Sequence, residues 1–213
     1  MVGVPAQLEK TGIIEQTSRI RAICREVYDL ALVSGRIQYT PLESLHKHLT
    51  TRWATNYSHV SNDELLALLR AIGSYPHAED VRRGLFLLSR LAAHPSELRE
   101  ARWEEFNLDK ALWTIPAQRM KSRREHTVPL PKQAIEALPS LHQLTGYQPL
   151  LFPGRSDKTA PRSNTVFIMA LRCLGYEGRQ TAHGFRHIAS TILNEHGYNA
   201  DHIEAQLSHV KDR

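Results

Sequence analysis

Phe106-Asn107-Leu108, Ala111-Leu112-Trp113-Thr114-Ile115-Pro116 and His126-Thr127-Val128-Pro129-Leu130 are the segments where the period of this chain changes. Before and after them, apolar residues recur at helical spacing. Within them the runs are short and rich in β-branched and aromatic residues, the pattern of brief strands. The polar stretch between the second and third, Arg119-Met120-Lys121-Ser122-Arg123-Arg124, then becomes a basic hairpin tip. The fold expected is mostly α with a small antiparallel β-sheet.

Upstream, Ser61-Asn62-Asp63-Glu64 is a capping box that opens a helix through Leu65, Leu66, Leu68, Leu69 and Ile72. Val81, Leu85, Leu88 and Leu91 continue at helical spacing, until His94-Pro95-Ser96-Glu97-Leu98 breaks the run and starts a new helix at Pro95. Downstream, helices are expected over 133–144, 164–174, 182–196 and 200–208, the last three capped by Ser163, Thr181 and Asn199. The region from Val4 to Leu49 also reads as helical. Ile20, Ile23, Val27, Leu30 and Ala31 repeat on one face, Gly35 is a stop, and Thr40-Pro41-Leu42-Glu43 opens a second short helix. So little helix cannot bury both apolar faces, so the region is either the tail of a larger helical domain or a segment that packs on something else. Thr50 to Val60 is polar, aperiodic and carries an isolated Trp53, which marks a linker.

A chain of 213 residues with 41% hydrophobic content accommodates one large domain, or one domain plus a fragment. No apolar run approaches membrane-spanning length, and the start of the chain lacks a signal-peptide layout. The only two cysteines, Cys24 and Cys173, form no metal or redox spacing, which fits a reducing cytoplasm. An excess of 27 Lys and Arg over 22 Asp and Glu gives a net charge of +5, compatible with a polyanionic partner without proving one.

The chemistry concentrates in His183-Gly184-Phe185-Arg186 and in Gln206-Leu207-Ser208-His209-Val210. Three apart on a helix, His183 and Arg186 share a face. They pair a proton carrier with a permanent cation able to grip two phosphate oxygens. His183 and His187 at i, i+4 admit a zinc helix as an alternative. Yet Gly184 stands where H-E-x-x-H has its Glu, and no third ligand is obvious. Taken alone, Lys121 with Arg119, Arg123 and Arg124 reads as a solvated charged turn. Trp103 and Trp113 read as core, as do Phe185, Ile188, Ile192 and Leu193. Glu97 either favours the first-turn helix dipole or orients its neighbours.

Taken together, His94-Pro95-Ser96-Glu97-Leu98-Arg99-Glu100-Ala101-Arg102-Trp103, Trp113-Thr114-Ile115-Pro116 with Met120-Lys121, His183-Gly184-Phe185-Arg186 and Leu207-Ser208-His209-Val210 resemble, in order and spacing, the catalytic domain of tyrosine recombinases of the phage integrase group. The resemblance implies three parts. Residues 1–49 would be the last helices of a truncated core-binding (SAM-like) domain, 50–60 a linker, and 61–213 the catalytic domain. It implies a reaction without metal or other cofactor, in which a tyrosine hydroxyl attacks a DNA phosphodiester. Two Arg would neutralise the growing charge, and a Lys would protonate the leaving 5′ oxygen.

Residue by residue, Lys121 falls at the general-acid position, His183 and Arg186 at the His and second Arg, and His209 at the later His. His94 stands where the family has its first Arg. His is shorter, cannot make the bidentate fork and is mostly neutral at pH 7. Loss of one such donor typically costs about 10²–10³ in rate. None of the seven tyrosines follows His209, so no residue of this chain takes the nucleophile position, and the expectation is a catalytic domain truncated before its tyrosine and inactive as it stands. The implied partner is double-stranded DNA, contacted by Arg119, Lys121, Arg123 and Arg124, with a homo-oligomer on that DNA as the implied assembly. The competing expectation is a DNA-binding or partner-binding module that keeps the fold and has abandoned strand transfer.

Overall fold

The computed structural model describes residues 14–40, 42 and 57–208, with side chains from residue 20 onward in the first stretch. The chain divides into two compact units, Met1–Asn56 and Tyr57–Arg213. In the first, helix α1 spans Ile14–Val33. Ile23, Val27 and Leu30, read above as its apolar face, are each more than half exposed. Gly35 follows at φ +69°, a left-handed turn that ends the helix. The helix expected after Thr40 falls almost wholly outside the described residues.

The second unit begins with α2, Asn62–Gly73. The Glu64 carboxylate accepts the Ser61 backbone N–H at 3.2 Å and its hydroxyl at 3.1 Å, so the expected start is anchored where the sequence placed it. Helix α3, Glu79–Leu91, is the central element. It packs against α2, against α5 (Lys132–Thr145) and against α6 (Val166–Cys173). Its Val81, Leu85 and Leu88 lie in the core beside Leu68, Ile72, Leu138, Leu141 and Leu171. Each such fully buried aliphatic side chain contributes roughly 1.5–3 kcal/mol. Where α3 meets α6 the backbones approach closely: a Cβ on Gly84 would stand 2.5 Å from the Phe167 ring.

Ala92, in the left-handed region at φ +50°, turns the chain out of α3. It leads directly to the short helix α4, Pro95–Arg99. The three expected strands form one antiparallel sheet in the order β1 (Phe106–Asn107), β2 (Leu112–Ile115), β3 (His126–Pro129). Trp113 pairs with Val128 and Ile115 with His126, and the inward residues Trp113 and Ile115 are fully buried. Helices α7, Gly184–Glu195, and α8, Ala200–Gln206, close the described chain. Asn199 is the N-cap expected of it, accepting the Asp201 N–H at 2.8 Å, whereas α7 starts two residues later than expected, with His183 at its N-cap position and the Thr181 hydroxyl accepting the Gly184 N–H at 2.9 Å. Among the described residues no helix is long and apolar enough to cross a membrane.

Candidate functional site

His94 occupies the N-cap of α4, held there from both sides. Its Nδ1 accepts the Ser96 N–H at 3.3 Å and lies 2.7 Å from the Ser96 hydroxyl, while the Glu97 carboxylate accepts the His94 N–H at 3.1 Å. An Nδ1 that accepts a backbone proton fixes the neutral tautomer with its hydrogen on Nε2. Burial pushes the pKa of the ring below the ordinary histidine value; the Glu97 and Glu100 carboxylates pull it up, and Arg186 pushes it further down.

Arg186 lies in the first turn of α7 and is only 7% exposed. Nη1 donates to the Ala92 carbonyl at 3.1 Å and Nη2 to the Leu207 carbonyl. Those carbonyls sit just past the C-terminal ends of α3 and α8, where the helix dipoles are negative. Burial lowers the Arg186 pKa against the pull of Glu97 and Glu204, and the guanidinium still stays charged.

His183, immediately before α7, sets its ring edge-on to His94 with centroids 5.1 Å apart. The His187 ring lies 5.8 Å from it, one helical turn on, and stacks on His59 at 5.5 Å. Tyr57 covers His183 at 4.1 Å. Residues Tyr57–Val60 are strapped across the start of α7. Ser58 gives its carbonyl to the Thr181 N–H at 2.9 Å, and Val60 gives its N–H to Gln180 at 2.9 Å. The strap passes so close that a Cβ on Gly184 would meet the Ser58 carbonyl oxygen at 2.6 Å. That contact explains the glycine between the two motif residues. The segment expected as linker therefore ends, from Tyr57 on, inside the second unit.

A further imidazole joins from the sheet. His126 opens β3, is lowered in pKa by burial, feels Glu97 and Arg186, and hydrogen-bonds the Gln206 main chain. Thus the structure brings His94, His183 and Arg186 together and adds Glu97 and His126. The hairpin cations divide. Lys121, Arg123 and Arg124 are exposed in the turn between β2 and β3, whereas Arg119 is drawn inward onto Glu105. His209 lies outside the described residues. Among the described residues no three His, Cys, Asp or Glu side chains are grouped to hold a metal.

Motif reading missed His126, His59 and Tyr57. His126 carried no signal beyond a polar residue at a strand start, and the other two sat in a segment without periodicity. In the sequence His187 reads only as half of a zinc pair.

The phage integrase family profile matches residues 59–213. The integrase of Shigella phage Sf6 is 32% identical over 211 residues, which is 99% of this chain and 55% of that protein. Prophage integrase IntZ of Escherichia coli K12 is 36% identical over 198 residues, 92% of this chain and 48% of its own length. The chain thus spans about half the length of these relatives. Among solved structures, lambda integrase as a dimer bound to a COC′ core site superposes with a TM-score of 0.74 at 16% identity, covering 98% of this chain and 60% of that one. The Tn1549 transposon integrase in complex with circular intermediate DNA gives 0.77 at 13% identity, covering 99% and 76%. Such low identities speak to the fold alone, which is that of tyrosine recombinase catalytic domains. A profile that runs through nearly all of the second unit, and takes in the motifs whose His94, His183 and Arg186 meet in space, settles the relationship: the chain belongs to the phage integrase family.

Proposed function

We propose that this site holds a DNA phosphodiester, and that the chain carries the phosphate-binding and proton-transferring part of an integrase that recombines DNA through a phosphotyrosine intermediate. The observation that supports it is the meeting of His94, His183 and Arg186 from separate segments around one buried guanidinium. In this reading Arg186 stabilises the charge growing on a non-bridging oxygen. His183 and His209 assist proton transfer. When a tyrosine oxygen bonds to phosphorus and the bond to the 5′ oxygen breaks, Lys121 gives that oxygen its proton. Lys121, Arg123 and Arg124 contact the backbone of double-stranded DNA, copies assemble on it, and the protein works in the cytoplasm.

A second reading, DNA binding without strand transfer, is favoured by His94 alone, a neutral cap in the place of a cation. One experiment tests both. Binding of a duplex should be measurable at low salt and should weaken steeply as salt rises, because phosphate contacts release counterions. A nicked suicide substrate should yield no covalent adduct, since none of the seven tyrosines stands after His209. No binding at low salt would sink both readings. A denaturant-resistant adduct would rule out the second, and its loss in Tyr57→Phe would name the tyrosine beside His183 as the attacking group.

A further inference from the structure

Arg119 ends the 3-10 turn Ala117–Arg119, two residues before Lys121. Its side chain is 16% exposed and faces that of Glu105, which is 4% exposed. Nη1 donates to both carboxylate oxygens of Glu105, to Oε2 at 2.6 Å, and Nη2 donates to the main-chain carbonyl of Glu97. Trp113 fixes the acid from the sheet side, its Nε1 donating to Oε2 at 3.0 Å. The carboxylate of the same Glu97 holds the backbone of His94. Met120, next in the chain, is buried in the core. The hairpin tip therefore leaves the body of the protein from two fixed residues, and only 121–125 reach into solvent.

We propose that Arg119 is a positioning residue: it touches no DNA, and by bridging Glu105 to the Glu97 carbonyl it sets where the Lys121 tip stands relative to His94. This deepens, and rests on, the phosphodiester reading above. The planar fork of arginine serves two acceptors on different elements at once, which the compact lysine ammonium does not reproduce. An arginine spent in this way also explains why one of four cations in the basic stretch is withdrawn from the surface.

The test uses the full 213-residue chain and a duplex oligonucleotide. Arg119→Ala, Lys121→Ala and the double variant form a cycle on DNA affinity and its salt dependence. Amide exchange over residues 120–126 is followed in the DNA-free proteins. Lys121→Ala should lower the salt slope by about one contact, and adding Arg119→Ala should lower it no further. Exchange in the tip should quicken several-fold in Arg119→Ala, with Arg119→Lys intermediate. If Arg119→Ala does not fold, Arg119→Lys carries the same cycle. A double variant that loses a further slope of about one makes Arg119 a phosphate contact and overturns the proposal, as does tip exchange unchanged from wild type. If the wild-type chain binds no DNA, the phosphodiester reading fails, and the exchange measurement by itself still decides whether the latch exists.

Discussion

His94 carries two duties that pull against each other. As an N-cap it contributes to the start of α4, and in the proposed phosphodiester reading it would face the phosphate with a neutral ring. His94→Arg should therefore tighten duplex binding about tenfold, the worth of one charge-assisted hydrogen bond. It should also cost about 0.5–1 kcal/mol of stability, because arginine cannot accept the Ser96 N–H. Tighter binding with lower Tm confirms both duties; unchanged affinity places His94 away from the phosphate. The pH behaviour follows from the same burial. His94 and His126 both have folded pKa values below the ordinary 6.5, so in the window beneath that value the unfolded chain binds protons that the folded chain does not. Stability is then fully present above about pH 6.5 and falls as pH drops through the window. Urea denaturation between pH 7.5 and 5 should show this decline, and His94→Asn, which keeps the cap, should flatten part of it. A decline equally steep in that variant would assign the effect elsewhere.

At the scale of elements, helix α7 works because the strap ahead of α2 lies against its first turn. Gly184→Ala drives a methyl into the Ser58 carbonyl, so the strap, or α7, must move. The expected cost is about 1–3 kcal/mol in chemical denaturation, with faster amide exchange at Val60 and Thr181, whose N–H groups the contact protects. A variant with wild-type stability would mean the strap yields freely. This contact also shows where the sequence stopped being legible. Helices and strands were readable because apolar period and caps are local: Ser61, Thr181 and Asn199 bond within three residues of themselves. The strap is held by Gln180 and Thr181, about 120 residues on, and nothing in Tyr57-Ser58-His59-Val60 announces partners so distant. The site divides the same way. Motif spacing found His183 and Arg186, the N-cap and a first-turn residue of one helix. Arg119 looked like its basic neighbours because its partner Glu105 is assigned only once the sheet forms, and His126 joined the site only through the end of α8.

At the scale of the whole molecule, the main core cluster among the described residues runs from Val60 to Ile188, within the second unit, and His94, His183 and Arg186 lie in that unit too. A chain of residues 57–213 should therefore fold alone, with one cooperative transition within a few degrees of that of the full chain, since a shift of 1 kcal/mol moves Tm by only about 2–4 °C at this size. Starting instead at residue 61 should behave differently. It removes buried Val60, the Ser58 carbonyl that takes the Thr181 N–H, and the backbone partner of Gln180, which is itself 2% exposed and whose Oε1 would be left unpaired in the interior. An unsatisfied buried carbonyl oxygen costs about 1–3 kcal/mol, and losing the valine adds to it. The shorter chain should thus melt several degrees below the longer one. If the two melt together, the strap is decoration on α7 and the second unit begins at α2. If neither folds, the first unit is part of the core, and the division of the chain at Tyr57 is wrong.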